Sequence, residues 1–252
     1  MRIKWDSVAC EPEEIFQANA RHACSLSLPY VAPAKRGSLA VCGGGPSLSG
    51  NLDRLRDFDE IWGVNRTAAW LCGKGISATF FTVDPQYVPG MTTVDKAILA
   101  SSVHPRIFEE LAGKDVALFH IAQADEGFVS EGGPSSVCRA IPLAVHMGYS
   151  SVTFFGCEGS YEQQSHSYPV PGRAHQIIIR AAGRDYTTQP DFQLQCEYLA
   201  EFLKASPEYF KEESGGLLRA MIEDDDWQIV ALSGAMMLAA GVDIAALPQW
   251  EG

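Results

Sequence analysis

Ser38-Leu39-Ala40-Val41-Cys42-Gly43-Gly44-Gly45-Pro46-Ser47-Leu48 is the stretch on which the fold turns. Residues 39–42 are a short apolar run, as expected of a strand buried on both faces. Gly43, Gly44 and Gly45 follow at once, then Pro46 and Ser47, which signal a helix start. A strand that passes through glycines into a helix can bring backbone N–H groups against a phosphate. Glycine lacks the Cβ that blocks close approach, and a helix N-terminus favours negative charge. The stretch has neither the Lys-Ser/Thr of a P-loop nor the G-x-G-x-x-G spacing of a dinucleotide site. A tight strand-to-helix turn without a ligand is the alternative reading.

Working outward, short apolar runs alternate with helical patterns. Strands are expected at 60–64, 78–83, 97–101, 116–121 and 151–155, and helices at 51–56, 67–72, 104–111 and 135–147. Strands of about five residues alternating with helices imply an α/β fold, a Rossmann-like, mostly parallel sheet with helices on both faces. Residues 1–36 read as an N-terminal helix and linker, 37–160 as the Rossmann-like nucleotide-binding core, and 161–252 as a polar loop or lid followed by a helical C-terminal appendage. Residues 160–176 are rich in Tyr, His, Pro and Gly, a long loop of the kind that carries function or disorder. Glu223-Asp224-Asp225-Asp226 reads as a solvated face.

Composition sets limits. At 252 residues the chain suits one large domain, and 46% hydrophobic with 20% charged residues is ordinary for a soluble globular protein. A formal net charge of -12 argues against a broad nucleic-acid-binding face but leaves room for a small phosphorylated ligand. The seven cysteines are scattered, with no C-x-x-C pair, which fits buried thiols in a reducing cytoplasm. The opening residues lack an apolar leader core, and the longest apolar stretch, 229–244, is broken by Ser233, Gly234 and Gly241. A cytoplasmic protein without a membrane span is expected. Nothing in the sequence fixes its oligomeric state.

In open parallel sheets ligands bind beyond the carboxyl ends of the strands, so the residues just past each strand are the candidates. Asn65 suits a base, a ribose or a phosphate edge, or else caps the next helix. Asp84 can hold Mg²⁺, accept from a sugar hydroxyl, or serve as a turn residue before Pro85. Gly132-Gly133-Pro134-Ser135-Ser136 is a second glycine-Pro-Ser loop feeding a helix. Gly133, Ser135 and Ser136 therefore offer a second anion-contacting edge, or Ser135 or Ser136 is only an N-cap. Glu158 is a further carboxylate for Mg²⁺. In the polar loop, His166 is the proton-transfer candidate, and Tyr168 and Arg173 are candidates to contact substrate and phosphate, with His175 nearby. No zinc-ligand spacing is present, and no structural metal is expected.

Taken together, Gly43-Gly44-Gly45-Pro46-Ser47-Leu48, Asn65, Asp84-Pro85, Gly132-Gly133-Pro134-Ser135-Ser136 and Val152-Thr153-Phe154-Phe155-Gly156 resemble the motility-accessory-factor and 6-hydroxymethylpterin diphosphokinase-like family over residues 37–160. The glycine-Pro-Ser loop is also similar, more weakly, to that of bacterial CMP-sialic-acid sialyltransferases. Where the motility-accessory-factor and diphosphokinase-like family often has Gly-x-Asp after its last core strand, this chain has Gly156-Cys157-Glu158. The resemblance implies a Rossmann-like core and a nucleotide-dependent transferase acting on a hydroxyl acceptor. Pyrophosphoryl transfer from ATP with Mg²⁺ is the first expectation, and transfer of a sugar from a CMP-sugar the alternative. A non-catalytic nucleotide-binding module is the second alternative.

The polar loop separates an enzyme from a binder. If His166 moves the proton, His166→Ala should lower turnover about 10²–10⁴-fold with nucleotide affinity retained. Arg173→Ala should instead weaken nucleotide binding. Steady-state kinetics beside calorimetric titration distinguish the two, and equal turnover in wild type and the His166→Ala variant removes His166 from the mechanism.

Overall fold

The computed structural model describes residues 10–122, 124–161, 167 and 176–232. Its strands lie where the short apolar runs do. Helix α1 (Glu13–Ser25) precedes β1 (Ser38–Cys42), β2 (Glu60–Val64), α2 (Arg66–Gly73), β3 (Thr79–Thr82), β4 (Lys96–Ala100), α3 (Pro105–Glu110) and β5 (Asp115–Phe119). Then come α4 (Ser136–Met147) and β6 (Ser151–Phe155), with α4 stopped by Gly148 in the left-handed conformation. Beyond the polar loop lie β7 (Ile177–Ala181), β8 (Arg184–Thr188), α5 (Pro190–Ala205), β9 (Phe210–Glu212), α6 (Gly216–Glu223) and β10 (Gln228–Leu232).

Seven strands form one sheet in the order β5-β4-β3-β2-β1-β6-β9, and every pairing in it is parallel. Alternate β1 residues face opposite ways, as the two-residue strand period requires. Leu39 and Val41 join a core with α1, α4 and α5, while Ala40 and Cys42 join one with Leu48, Leu55 and Leu71. Both faces are therefore covered, and residues 39–42 of β1 are all apolar because neither side meets water.

The chain winds outward from β1 through β5, then returns to place β6 on the other side of β1. The crevice between β1 and β6 is thus the topological switch point, where the loops leaving two adjacent strands diverge.

Two expectations change. The helix expected at 51–56 is instead a pair of short 3₁₀ turns, Pro46–Gly50 and Arg54–Asp57. The C-terminal region keeps α5 and α6 but is not wholly helical. Its β9 pairs with β6 at the edge of the main sheet, and β10, β7 and β8 form a separate antiparallel sheet. The β7–β8 hairpin turns on Ala182 and Gly183, both at positive φ, as a tight two-residue hairpin demands. All seven cysteines are free, and Cys42, Cys138, Cys157 and Cys196 are buried. Among the described residues no helix is long and apolar enough to cross a membrane.

At the amino end of the sheet Glu60 gathers a polar network. Lys96 Nζ donates to it at 2.8 Å, Tyr149 Oη donates to its other oxygen, and Arg36 lies at 3.4 Å. Burial alone would raise this carboxyl, but the hydrogen bonds from Lys96 and Tyr149 outweigh it and hold the pKa below the ordinary glutamate value. A depressed folded pKa stabilises the fold above the unfolded pKa and is lost as pH falls through the folded one. Glu60→Gln should therefore cost about 1–2 kcal/mol at pH 7, since the bonds lose their charge while the site stays partly open to solvent. Urea unfolding should show the gap between variant and wild type closing in acid.

Candidate functional site

A cavity of about 180 Å³ opens at the switch point. Gly43, Gly44 and Gly45, past β1, form one wall, and Gly156, Cys157, Gly159 and Ser160, past β6, form another. Val64 and Asn65 close the β2 side. Ser135, Ser136 and Val137 bring the first turn of α4, and Phe192 and Gln195 bring α5. The two glycine-Pro-Ser loops thus share one cavity. Pro46, Ser47, Gly133 and Asp84 lie outside its lining.

The first loop does not present a fan of free amides. The Gly43 N–H donates to Phe155 O at 2.8 Å, Gly45 N–H to Gly156 O at 2.8 Å, and Ser47 N–H to Glu158 Oε1 at 2.7 Å. Pro46 has no N–H, so Gly44 carries the one amide of residues 43–47 without an acceptor among the described residues. The glycines are needed because the loops past β1 and β6 nearly touch. A Cβ at Gly43 would lie 2.5 Å from Gly156 O, and one at Gly45 would overlap the Glu158 carboxylate. The loop's amides are thus mostly committed to its neighbour, with that of Gly44 the exception among the described residues. The helix dipole invoked for the loop is reduced to a five-residue 3₁₀ turn. Ser167 also bonds this loop, its N–H donating to Gly44 O at 2.9 Å and its hydroxyl to Gly45 O at 2.7 Å.

The second loop is different. Ser135 is the N-cap of α4, its Oγ accepting from the Cys138 N–H at 3.4 Å and donating to Gln195 Oε1 at 2.8 Å. The capping alternative holds for Ser135. Ser136 is 8% exposed, lines the cavity, and its hydroxyl has no partner among the described residues. The amides of Ser136 and Val137 likewise have no acceptor among them. Three donors at the start of a twelve-residue helix therefore belong to residues that line one cavity, an arrangement suited to a single anionic group. Gly133 lies on the far side of the loop, near Arg139 and Tyr198.

Asn65 sits at φ 53, ψ -129, an uncommon conformation for a residue with a side chain, on the sharp turn between β2 and α2. It makes no side-chain cap. Its Oδ1 instead accepts from the Thr82 hydroxyl at 2.6 Å.

The two carboxylates expected to share Mg²⁺ are separated. Asp84 follows β3 and Glu158 follows β6, three strand spacings away, roughly 14 Å at the usual ~4.8 Å per strand. Asp84 Oδ1 accepts the Gln86 amide at 2.9 Å, a turn role, and burial, helped by the charge of Glu11, raises its pKa. Glu158 is buried and accepts from the Ser47 amide. As a pair they do not fit a shared magnesium ion, and no cluster of three or more metal-ligating side chains occurs among the described residues. His166, Tyr168, Arg173 and His175 lie outside the described residues.

Sequence reasoning missed Phe192 and Gln195, which sit well beyond the end of β6 at Phe155. The signal was present: Phe192, Gln195, Cys196 and Leu199 recur at helical spacing, and a glutamine on that apolar face marks a polar neighbour.

A family model described as 6-hydroxymethylpterin diphosphokinase MptE-like matches residues 17–164, and the chain belongs to that family. No match is found among curated proteins. A similar solved structure is that of the MAf glycosyltransferase from Magnetospirillum magneticum AMB-1, at 13% identity and a TM-score of 0.60 over 84% of this chain. At that identity the likeness shows the fold alone, and the match spans only 38% of that longer chain.

The two roles of glycine in the first loop can be separated. Gly45→Ala should destabilise the protein by about 2–3 kcal/mol, because the added Cβ meets Glu158 and Gly156. Gly44→Val should leave the fold intact and weaken nucleotide binding. Thermal unfolding and calorimetric titration of both variants test this, and a folded Gly44→Val protein with unchanged nucleotide affinity would remove Gly44 from the site.

Proposed function

We propose that this chain is a nucleotide-dependent transferase whose donor carries its reactive group on a nucleoside monophosphate, as a CMP-sugar does, and whose acceptor is a hydroxyl. The observation that carries this reading is the character of the switch-point cavity. Its described lining contains no Asp, Glu, Lys or Arg, and its free donors gather at the amino end of α4. Neutral donors and a helix dipole equivalent to roughly half a charge suit a singly charged phosphodiester better than a triphosphate. At about 180 Å³ the cavity is below the roughly 300–1,000 Å³ of a site that engulfs a whole ligand. It suits the phosphate end of a nucleotide whose remainder lies outside. Asn65 and Ser136 would contact the donor, and Gly43–Gly45 would form the wall it rests against. The two glycine-Pro-Ser loops meeting at one cavity support the same reading.

The second reading is pyrophosphoryl transfer from ATP, favoured by the description of the family to which the chain belongs. It requires Mg²⁺ ligands beyond the Asp84 and Glu158 pair.

Thermal unfolding with CMP, CTP, GDP and ATP, each with and without Mg²⁺, separates the two. A ligand that binds only the native state raises the melting temperature. On the first reading CMP stabilises equally with and without the metal. Stabilisation by ATP only with Mg²⁺ would move the assignment to the second, and no shift with any nucleotide would overturn both.

A further inference from the structure

Thr82 ends β3 at 1% exposure, and its hydroxyl is committed on both sides. It accepts from the Asp84 N–H at 3.1 Å and donates to Asn65 Oδ1 at 2.6 Å. The Asn65 amide also donates to Phe81 O at 3.0 Å, so the backbone and the side chain of Asn65 are both tied to β3. A carboxamide can be turned over to exchange its oxygen and nitrogen. Here that flip is costly. A turned Asn65 would donate to Thr82 Oγ, which already accepts the Asp84 N–H, and the buried Thr82 hydroxyl would lose the acceptor it has here.

We propose that Thr82 is a positioning residue. Its hydroxyl fixes the Asn65 carboxamide oxygen toward β3 and leaves Nδ2, with no acceptor among the described residues, as the group Asn65 offers at the cavity. The site then selects a ligand with an oxygen acceptor at that place, a phosphoryl, carbonyl or sugar oxygen, and discriminates against a donor such as an amine. This inference rests on the nucleotide reading only for the identity of the ligand.

The test uses Thr82→Val, which keeps the shape and removes the hydroxyl, and Thr82→Ser, which keeps the hydroxyl. Thr82→Ala serves as a second deletion should valine not fold. The first arm needs no ligand. NMR of protein with isotope-labelled asparagine should give one set of Asn65 carboxamide signals in wild type and Thr82→Ser, and shifted or doubled signals in Thr82→Val. Unchanged Asn65 signals in the folded deletion variant would overturn the proposal. The second arm titrates CMP by calorimetry. Thr82→Val should weaken it about tenfold, Thr82→Ser should restore it, and Thr82→Val should add nothing in an Asn65→Ala background. Additive losses would overturn positioning through Asn65. If wild type fails to bind CMP while the Asn65 signals respond to Thr82→Val, the nucleotide reading falls and the positioning role stands.

Discussion

The contact on which the rest of the structure depends is the near-touching of the two turns at the switch point. The amides of Gly43, Gly45 and Ser47 all donate to the end of β6 or the segment past it, so two strands far apart in sequence are locked at their carboxyl ends as well as along their ladder. A buried carboxylate takes part, which has a desolvation cost that only well-made hydrogen bonds offset. Glu158 is therefore a brace under the loop. The approach also decides which residues can stand there, since a Cβ at Gly43 or Gly45 would collide with the opposite turn. The cavity exists because these turns are held together and α4 and α5 are held a little away.

The same three residues, Gly-Pro-Ser, act differently in the two loops, and the element that each loop opens explains the difference. After Pro46 the chain makes a five-residue 3₁₀ turn whose first available amide is already bonded to Glu158. After Pro134 it makes a twelve-residue α-helix whose first amides have no internal partner by the geometry of any helix. Ser135 satisfies one of them as cap, and those of Ser136 and Val137, residues that line the cavity, have no acceptor among the described residues. A motif read in isolation thus carries less than the length and type of the element that it opens.

Much of the fold was legible because buried parallel strands declare themselves. The run at 39–42 is wholly apolar and those at 60–64 and 151–155 are mostly so, and Gly148 marks the end of α4 as plainly as a helix can. The strands past the polar loop were harder. Residues 177–181 and 184–188 are β-branched runs around a two-residue Ala-Gly turn, a hairpin signal weakened by Arg180, Arg184 and Asp185 at its outer end. The three-residue β9 has no period to read, and only its place beside β6 makes it a strand. At the site, the convergence of both glycine loops with Asn65 followed from the rule for parallel sheets. The separation of Asp84 from Glu158 did not, because it depends on strand order, and sequence order alone leaves β6 free to lie on either side of β1.

Strand order also bears on the character of the cavity, whose described lining has no Asp, Glu, Lys or Arg. A charged side chain at the switch point needs dedicated hydrogen bonds to offset its desolvation, as the buried Glu158 has from the Ser47 amide. Backbone and hydroxyl donors have no net charge to desolvate, and they are held in place by the elements that carry them. The first turn of α4 supplies such donors, and the Thr82–Asn65 bond adds one whose direction is set from β3. On the proposed reading such a pocket selects by the direction of its donors rather than by net charge, which is compatible with a chain whose overall charge is -12.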